Sequence, residues 1–492
     1  MLPVREGFNG MNTKGGWKFD NSYTRLPEAL FQRVKPEPAE NPELSICNHE
    51  LLSEMGLDGM GGDPSAAEIF AGGRIPEGAE PIAQAYAGHQ FGHLAMLGDG
   101  RAVLLGEQIT PGGQRLDIQL KGSGRTPFSR RGDGRAALGP MLREYLISEA
   151  MQSFGIPTTR SLAVATTGEP VFREKELQGA VLTRVAASHI RVGTFEYAAR
   201  IGEPETLRAL ADHSIARHHP GASSEENPYL ALLEEVVERQ ARLIAQWMNV
   251  GFIHGVMNTD NMAVSGETID YGPCAFMDSY DPETVFSSID RNGRYAFSKQ
   301  PKIAQWNLAR FAECLVPLLS KDEKHGLEFA NNAVASFADR FQDHWLSGMR
   351  AKLGLFTQED EDAVLADSLL MWMHENKTDF TNTFRGLCPE ASSPETENPK
   401  FQEWKTRWSA RLARQPQSMK EVVTLMRSTN PQIIPRNHKV EEALTAAAEG
   451  DLQPMKRLLE ALSKPFDQDV EQAEFTEPPA PDHPPYQTFC GT

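Results

Sequence analysis

Between residues 102 and 121 apolar and polar positions alternate around a glycine-rich turn. The run AVLLGEQI (102–109), the turn TPGGQR and the run LDIQLKG together predict a β-hairpin. In its second strand Leu116, Ile118 and Leu120 fall on one face, and Asp117, Gln119 and Lys121 on the other. The spacing then becomes helical: ALGPMLREYLISEAMQSFG (137–155) predicts a helix ending near Gly155. TRSLAVATT and GAVLTRVAAS supply further strands. In NPYLALLEEVVERQARLIAQWMNVG the apolar positions Tyr229, Leu233, Val236, Leu243 and Trp247 keep close to one helical face, and Gly251 stops the helix. AQWNLARFAECLVPLL, DAVLADSLLMWMHEN and KVEEALTAAAEGDLQPMKRLLEALS are helix-like as well.

This order of textures predicts an α+β, bilobal chain. Residues 1–80 read as a turn-rich N-terminal extension and 81–190 as a small β-rich N-lobe with one helix. Residues 191–430 read as a larger helical C-lobe. Residues 431–492 read as a helical segment followed by a flexible, Pro-rich tail, EPPAPDHPPYQTFCGT. At 492 residues the chain exceeds what one compact core holds, which agrees with two lobes.

Composition narrows the function. A formal charge of −18 argues against general binding to nucleic acid or an anionic membrane, so any anion site must be a local cluster of positive charge. No apolar run is long enough to span a bilayer, and the first residues lack the apolar core of a secretory signal. Five cysteines without a C-x-x-C pair suggest a reducing compartment and no structural zinc. A cytoplasmic soluble enzyme is expected, with a monomer as the default.

The chemistry concentrates in HGVMNTDNMAVSGETIDYGP (254–273). It has the outline of a phosphotransferase catalytic loop followed by a metal-binding turn, but Val256 stands where a kinase keeps its proton-accepting aspartate. Asn261 and Asp270 present an amide oxygen and a carboxylate, suitable ligands for Mg²⁺ or Mn²⁺ carrying nucleotide phosphates. MAVSGETI between them reads as two short strands around a turn that would bring the two together. Asp260, beside Asn261, is either a substitute base or a group that orients the loop. His254 reads as a packed structural imidazole.

Upstream, Lys121 ends a strand on its polar face and Glu144 lies within the next helix, in the order of the kinase lysine–glutamate pair. Gly98 and Gly100 precede a strand and would let backbone approach phosphates, but as a bare G-x-G the motif is weak and a plain turn is the better reading in isolation. Lys121, Arg125, Arg130, Arg131, Arg135, Arg143, Arg184 and Arg191 form a basic set in an acidic chain, for which a triphosphate is an economical partner. Cys274 and Cys490 are either a redox-sensitive pair or two unrelated thiols.

YAGHQFGHLAMLGDGRAVLLGE, DIQLKGSGRTPFSRRGDGRAALGPMLREYLISEAM, HGVMNTDNMAVSGETIDYGPCAFMD and IPRNHKVEEAL closely resemble the selenoprotein O family, over nearly the whole chain. Cys490 stands at the position of that family's selenocysteine. The resemblance implies a protein kinase-like fold that binds ATP flipped and transfers AMP to Ser, Thr or Tyr hydroxyls of proteins. It further implies Gly98, Gly100, Arg101, Lys121, Asp133, Gly134, Arg184, Arg191 and Asp270 at the nucleotide, Asn261 and Asp270 at the metal, and Asp260 as proton acceptor. Two rival readings are a γ-phosphoryl-transferring kinase, disfavoured by Val256, and a silent ATP-binding pseudokinase scaffold, disfavoured by intact Lys121, Asn261 and Asp270.

Overall fold

The computed structural model describes residues 15–388, 398–467, 470–480, 484 and 486–488. The chain divides into two compact units. One takes in the described residues up to Ala85, Leu97–Tyr145 and Thr159–His189; the other takes in Tyr86–Met96, Leu146–Thr158 and the described residues from Ile190 onward. The first is β-rich and the second largely helical, the α+β class expected.

The first unit is built on an antiparallel sheet. Its strands run in the order Phe31–Arg33, Ile82–Gln84, Ala102–Ile109, Arg115–Lys121, Glu176–Ala186, Arg160–Phe172 and Glu43–Cys47, with the short strand Ala136–Ala137 also paired to Glu176–Ala186. The predicted hairpin is present, with Lys121 opposite Ala102 and Arg115 opposite Ile109. Residues before 81, read as an extension, contribute two of these strands and much of the cover. Ile118 and Leu120 are fully buried on one face, with Leu105, Leu162 and Val181, against Leu51, Leu52, Ile69 and Phe70 of two short helices. The polar side of the same strand carries Asp117, Gln119 and Lys121, and all three are buried too.

In the second unit the long helix Pro228–Asn249 starts at Asn227, whose side chain accepts from the Leu230 N–H, and ends before Gly251 at φ +72°. Leu233, Val236, Leu243 and Trp247 of its predicted stripe are buried, while Tyr229 is half-buried. Helices Gln300–Leu319 and Asp362–Asn376 cover the other predicted runs. The stretch after residue 437 forms two helices, Asn437–Ala448 and Gln453–Ser463, parted at Gly450 with φ +94°. Tyr486–Thr488 lie in the expected tail, yet Thr488 exchanges backbone hydrogen bonds with Phe286 and Ser288, and its hydroxyl donates to Pro273 O at 2.8 Å. Cys490 lies outside the described residues, so its pairing with Cys274 has no structural reading.

Lys352 is buried with its ammonium 4.1 Å from the Phe384 ring centre and 5.2 Å from that of Phe380. Burial pulls its pKa down to about 7. The unfolded chain therefore binds this proton more tightly than the fold does. The stability cost is full below pH 7 and is relieved as pH rises toward the ordinary lysine value. Lys352→Met is expected to raise Tm at pH 7, and the gain over the parent should shrink between pH 7 and 9 in paired melts. An unchanged or lowered Tm at both pH values would contradict the buried, depressed amine.

Candidate active site

In the first unit the expected lysine–glutamate pair is formed. Lys121 Nζ donates to Glu144 Oε2 at 2.6 Å, and the other carboxylate oxygen takes Arg184 Nη1 at 3.2 Å. Both cations and Glu144 are almost wholly inaccessible. Arg184 also donates to Gln119 Oε1, whose amide donates to Asp99 Oδ2 at 3.2 Å, while Asp99 Oδ2 takes the Gln84 N–H at 3.1 Å. One carboxylate thus positions two buried cations, as a kinase positions its phosphate-binding lysine.

Gly98 and Gly100 flank Asp99, and their need for glycine has a cause inside the chain. A Cβ on Gly98, at φ +122°, would stand 2.4 Å from the Phe128 ring, and one on Gly100 would stand 3.0 Å from Phe128 O. The segment 126–129 folds down on this turn, with Thr126 Oγ1 donating to Asp99 O at 2.6 Å and Ser129 Oγ donating to Gly100 O. Arg101 follows, half-buried. Asp133 is paired with Arg173 at 2.8 Å, and this hydrogen-bonded guanidinium holds its carboxyl below the usual range. Gly134, at φ +70°, lies so close to Gly124 O that a Cβ would come within 2.0 Å. Of the basic set, Arg135 is held by Glu37 and Glu169, whereas Arg125, Arg130 and Arg131 are exposed.

In the second unit the 254–273 stretch is a loop bound to distant segments. MAVSGETI does not form the expected pair of strands. Ala263 bridges Arg191 and Thr268 bridges Thr158, around a turn at Gly266. Local sequence could show the turn but not these partners, because the backbone groups are satisfied by chain far away. His254 is buried, stacked on Trp247, with Nε2 donating to Ile269 O at 2.9 Å: the structural imidazole expected. Asn261 donates its Nδ2 to Val256 O at 2.8 Å, so the residue in place of the kinase aspartate contributes its backbone instead.

Arg191 joins the candidate aspartates. Its Nη1 donates to Asp270 Oδ2 at 2.6 Å and to Asp260 O at 2.7 Å, and its guanidinium lies 4.7 Å over the Tyr86 ring. Asp270 adopts φ +63°, a left-handed conformation that Asp tolerates at a cost of roughly 1–2 kcal/mol. Asp260 sits in the short turn Thr259–Asn261 and is buried. Burial raises its pKa to about 6, against the opposing pull of Arg191 and with a smaller push from Asp270. Gln90 Nε2 donates to Oδ2 at 3.4 Å, while Oδ1 is buried without a hydrogen-bond partner. Asp260 thus presents a buried carboxylate with one oxygen unengaged and a raised pKa.

A family model described as protein adenylyltransferase SelO matches residues 16–463. The chain belongs to that family. Among curated relatives, the protein nucleotidyltransferase YdiU of Halalkalibacterium halodurans is 60% identical over 97% of this chain and 98% of its own length. That of Syntrophotalea carbinolica is 59% identical over 98% of each, and that of Brevibacillus brevis 60% identical over 97% and 98%. Among solved structures, ROP2 from Toxoplasma gondii, described as a virulence factor with a protein-kinase fold and no enzymatic activity, covers 68% of this chain and 83% of its own at 10% identity. Its TM-score is 0.25.

For this SelO-family chain, the oxygen set of the second unit suits a divalent cation. Asn261 turns its amide nitrogen to Val256, leaving Oδ1 as an oxygen ligand, and Asp270 adds carboxylate oxygen. These are hard ligands of the kind Mg²⁺ and Mn²⁺ take. Among the described residues no group of three or more His, Cys, Asp or Glu side chains makes a ready metal cage. A cation on Asn261 and Asp270 would therefore draw its remaining ligands from water and phosphate oxygens. Among the described residues no helix is long and apolar enough to cross a membrane.

The motifs missed Gln119, Asp99 and Arg173, which hold Arg184 and Asp133, and the strand Ala87–Gln90, which meets Asp260. YAGHQFGH carried a signal in its two glycines and two histidines, but nothing local ties it to residue 260.

Proposed function

We propose that this chain transfers AMP from ATP to Ser, Thr or Tyr hydroxyls of proteins, releasing pyrophosphate. The observation that carries the reading is Asp260: a buried carboxylate with an unengaged oxygen, set beside Asn261 in a loop whose usual aspartate position holds Val256. In this reading Asp260 accepts the acceptor hydroxyl's proton. Lys121 and Arg184, oriented by Glu144, bind phosphate oxygens and stabilise charge developing on the leaving pyrophosphate. Gly98, Gly100, Arg101, Asp133 and Gly134 supply the remaining first-unit contacts to the nucleotide. Arg191 and Asp270 supply those of the second unit. Asn261 and Asp270 hold Mg²⁺ or Mn²⁺, which when bound neutralises phosphate charge. Arg191 already occupies one oxygen of Asp270, so it shares that carboxylate with the cation.

The test is intact mass of an acceptor protein after incubation with ATP and either cation. The expected product carries an adenylyl group, with pyrophosphate released in equal amount; a phosphoryl adduct would contradict the reading. UTP in parallel tests the base, since the name of the YdiU relatives specifies only a nucleotidyl group. Asp270→Ala is expected to abolish transfer, because it removes a cation ligand and Arg191's partner together. Full activity in that variant across a cation titration would remove the metal assignment.

A further inference from the structure

Asp260 is held by chain that no nucleotide or metal role accounts for. The strand Ala87–Gln90 pairs with His93–Met96, and on it Gly88 lies against the Asp260 carboxylate. A Cβ on Gly88 would stand 2.1 Å from Asp260 Oδ1 and 2.6 Å from Cγ. Gly88 is not among the glycines with positive φ, so it is space, not backbone conformation, that requires a glycine there. Gly193 repeats the pattern on the helix Val192–Ile201: its Cβ would meet Ala87 O at 2.0 Å and Asp260 Cα at 3.3 Å.

The next residue closes a ring of hydrogen bonds. The His89 N–H donates to Thr259 Oγ1 at 2.7 Å, and Thr259 Oγ1 donates to Glu196 Oε2 at 2.5 Å. The other Glu196 oxygen meets His89 Nδ1. Glu196 and Thr259 are buried, and Trp306 packs edge-on against the His89 ring at 5.2 Å. The next residue, Gln90, reaches Asp260 Oδ2, and the Phe91 N–H donates to Asn258 Oδ1 at 3.0 Å. Asn258, Thr259 and Asp260 are thus each gripped by the same short strand and its turn. A solvent-facing loop has no need of such a fit; a carboxylate that must meet a hydroxyl within a few tenths of an ångström does.

We propose that Gly88, His89 and Glu196 are positioning residues for the transfer reaction. Glu196 and His89 lock Thr259, and Gly88 sets how deep the Asp260 carboxylate lies. The proposal rests on Asp260 as the proton acceptor. None of the three touches substrate in this account; each acts through the 258–260 turn.

The experiment compares steady-state transfer of α-labelled AMP to a generic protein acceptor by the full chain and five variants, with ATP KM and Tm recorded for each. Glu196→Ala and Thr259→Val are expected to lower kcat by about tenfold or more, and Gly88→Ala by on the order of a hundredfold, with ATP KM within about twofold of the parent. Glu196→Gln keeps an oxygen for Thr259 and an amide facing His89, and Thr259→Ser keeps the hydroxyl; both are expected to recover most of kcat. Parent-level kcat in Glu196→Ala would overturn the proposal. So would equal losses in Glu196→Ala and Glu196→Gln, or a fall in kcat together with a raised ATP KM and a lowered Tm, which mark a merely structural role. An unmodified chain that transfers no AMP overturns the functional reading first, on the parent alone, and the positioning roles with it. If Glu196→Ala fails to fold, the Thr259→Val and Thr259→Ser pair decides the same question.

Discussion

Asp260→Asn is expected to lose AMP transfer by roughly 10²–10⁴-fold, the range of a general base, while ATP binding persists. The same variant is expected to be more stable than the parent when metal is stripped by chelation. Burial raises the Asp260 pKa to about 6 from the ordinary 3.8, so the ionised carboxylate is disfavoured in the fold. For a group raised in this way, stability is greatest below the unfolded pKa and is lost as pH climbs through the folded one. The amide should therefore give no advantage near pH 4 and its full advantage above pH 6. Two pKa units correspond to about 3 kcal/mol, an upper figure for so buried a site. Melts of the chelated proteins at pH 4.5 and 7.5, beside a transfer assay, check both halves. An active variant, or an inactive one less stable at every pH, would show that Asp260 is a structural carboxylate.

The second large effect is at Glu144. It is the shared counter-ion of Lys121 and Arg184, all three buried. Glu144→Ala removes the carboxylate that two buried cations share, and removal of one partner from a buried ion pair costs about 3–5 kcal/mol. Lys121→Met removes one cation but leaves Glu144 paired with Arg184. The two halves of one salt bridge should thus behave differently. Glu144→Ala should melt well below the parent and lose activity, whereas Lys121→Met should melt close to it and lose ATP binding. Equal destabilisation by the two variants would mean that Glu144 serves Lys121 alone.

What the sequence made legible follows physical range. The alternation in LDIQLKG announced the strand, its buried apolar face and Lys121 on the opposite, polar face, because strand periodicity is local. Glu144 could be matched to it because it lies in the helix that follows, in the order of the kinase lysine–glutamate pair. The long helix before Gly251 was plain from its stripe and its stop. Partner choice was another matter. Ala263 pairs with Arg191 and Thr268 with Thr158, so a stretch with the look of a hairpin is shared out between two remote segments. Arg191 entered the basic set by its charge, and the sequence did not show that its guanidinium lies on Asp270 and the Asp260 carbonyl. Arg135 belonged to the same basic run and is occupied by Glu37 and Glu169. Gly98 and Gly100 suggested room for a ligand, and Phe128 supplies a packing reason from within the chain. The residue types of the site were readable; which neighbour each one answers to was not.

The most direct measurement is a pair of transfer reactions to one protein acceptor, identical except that ATP carries its label at the α-phosphate or at the γ-phosphate. Divalent cation and reducing agent are present in both. Retention of the α label alone is the predicted result, as AMP becomes bonded to the acceptor and the γ-phosphate leaves in pyrophosphate. Retention of the γ label alone would make the chain a phosphoryl-transferring kinase, contradicting the role given to Asp260 in a loop that carries Val256.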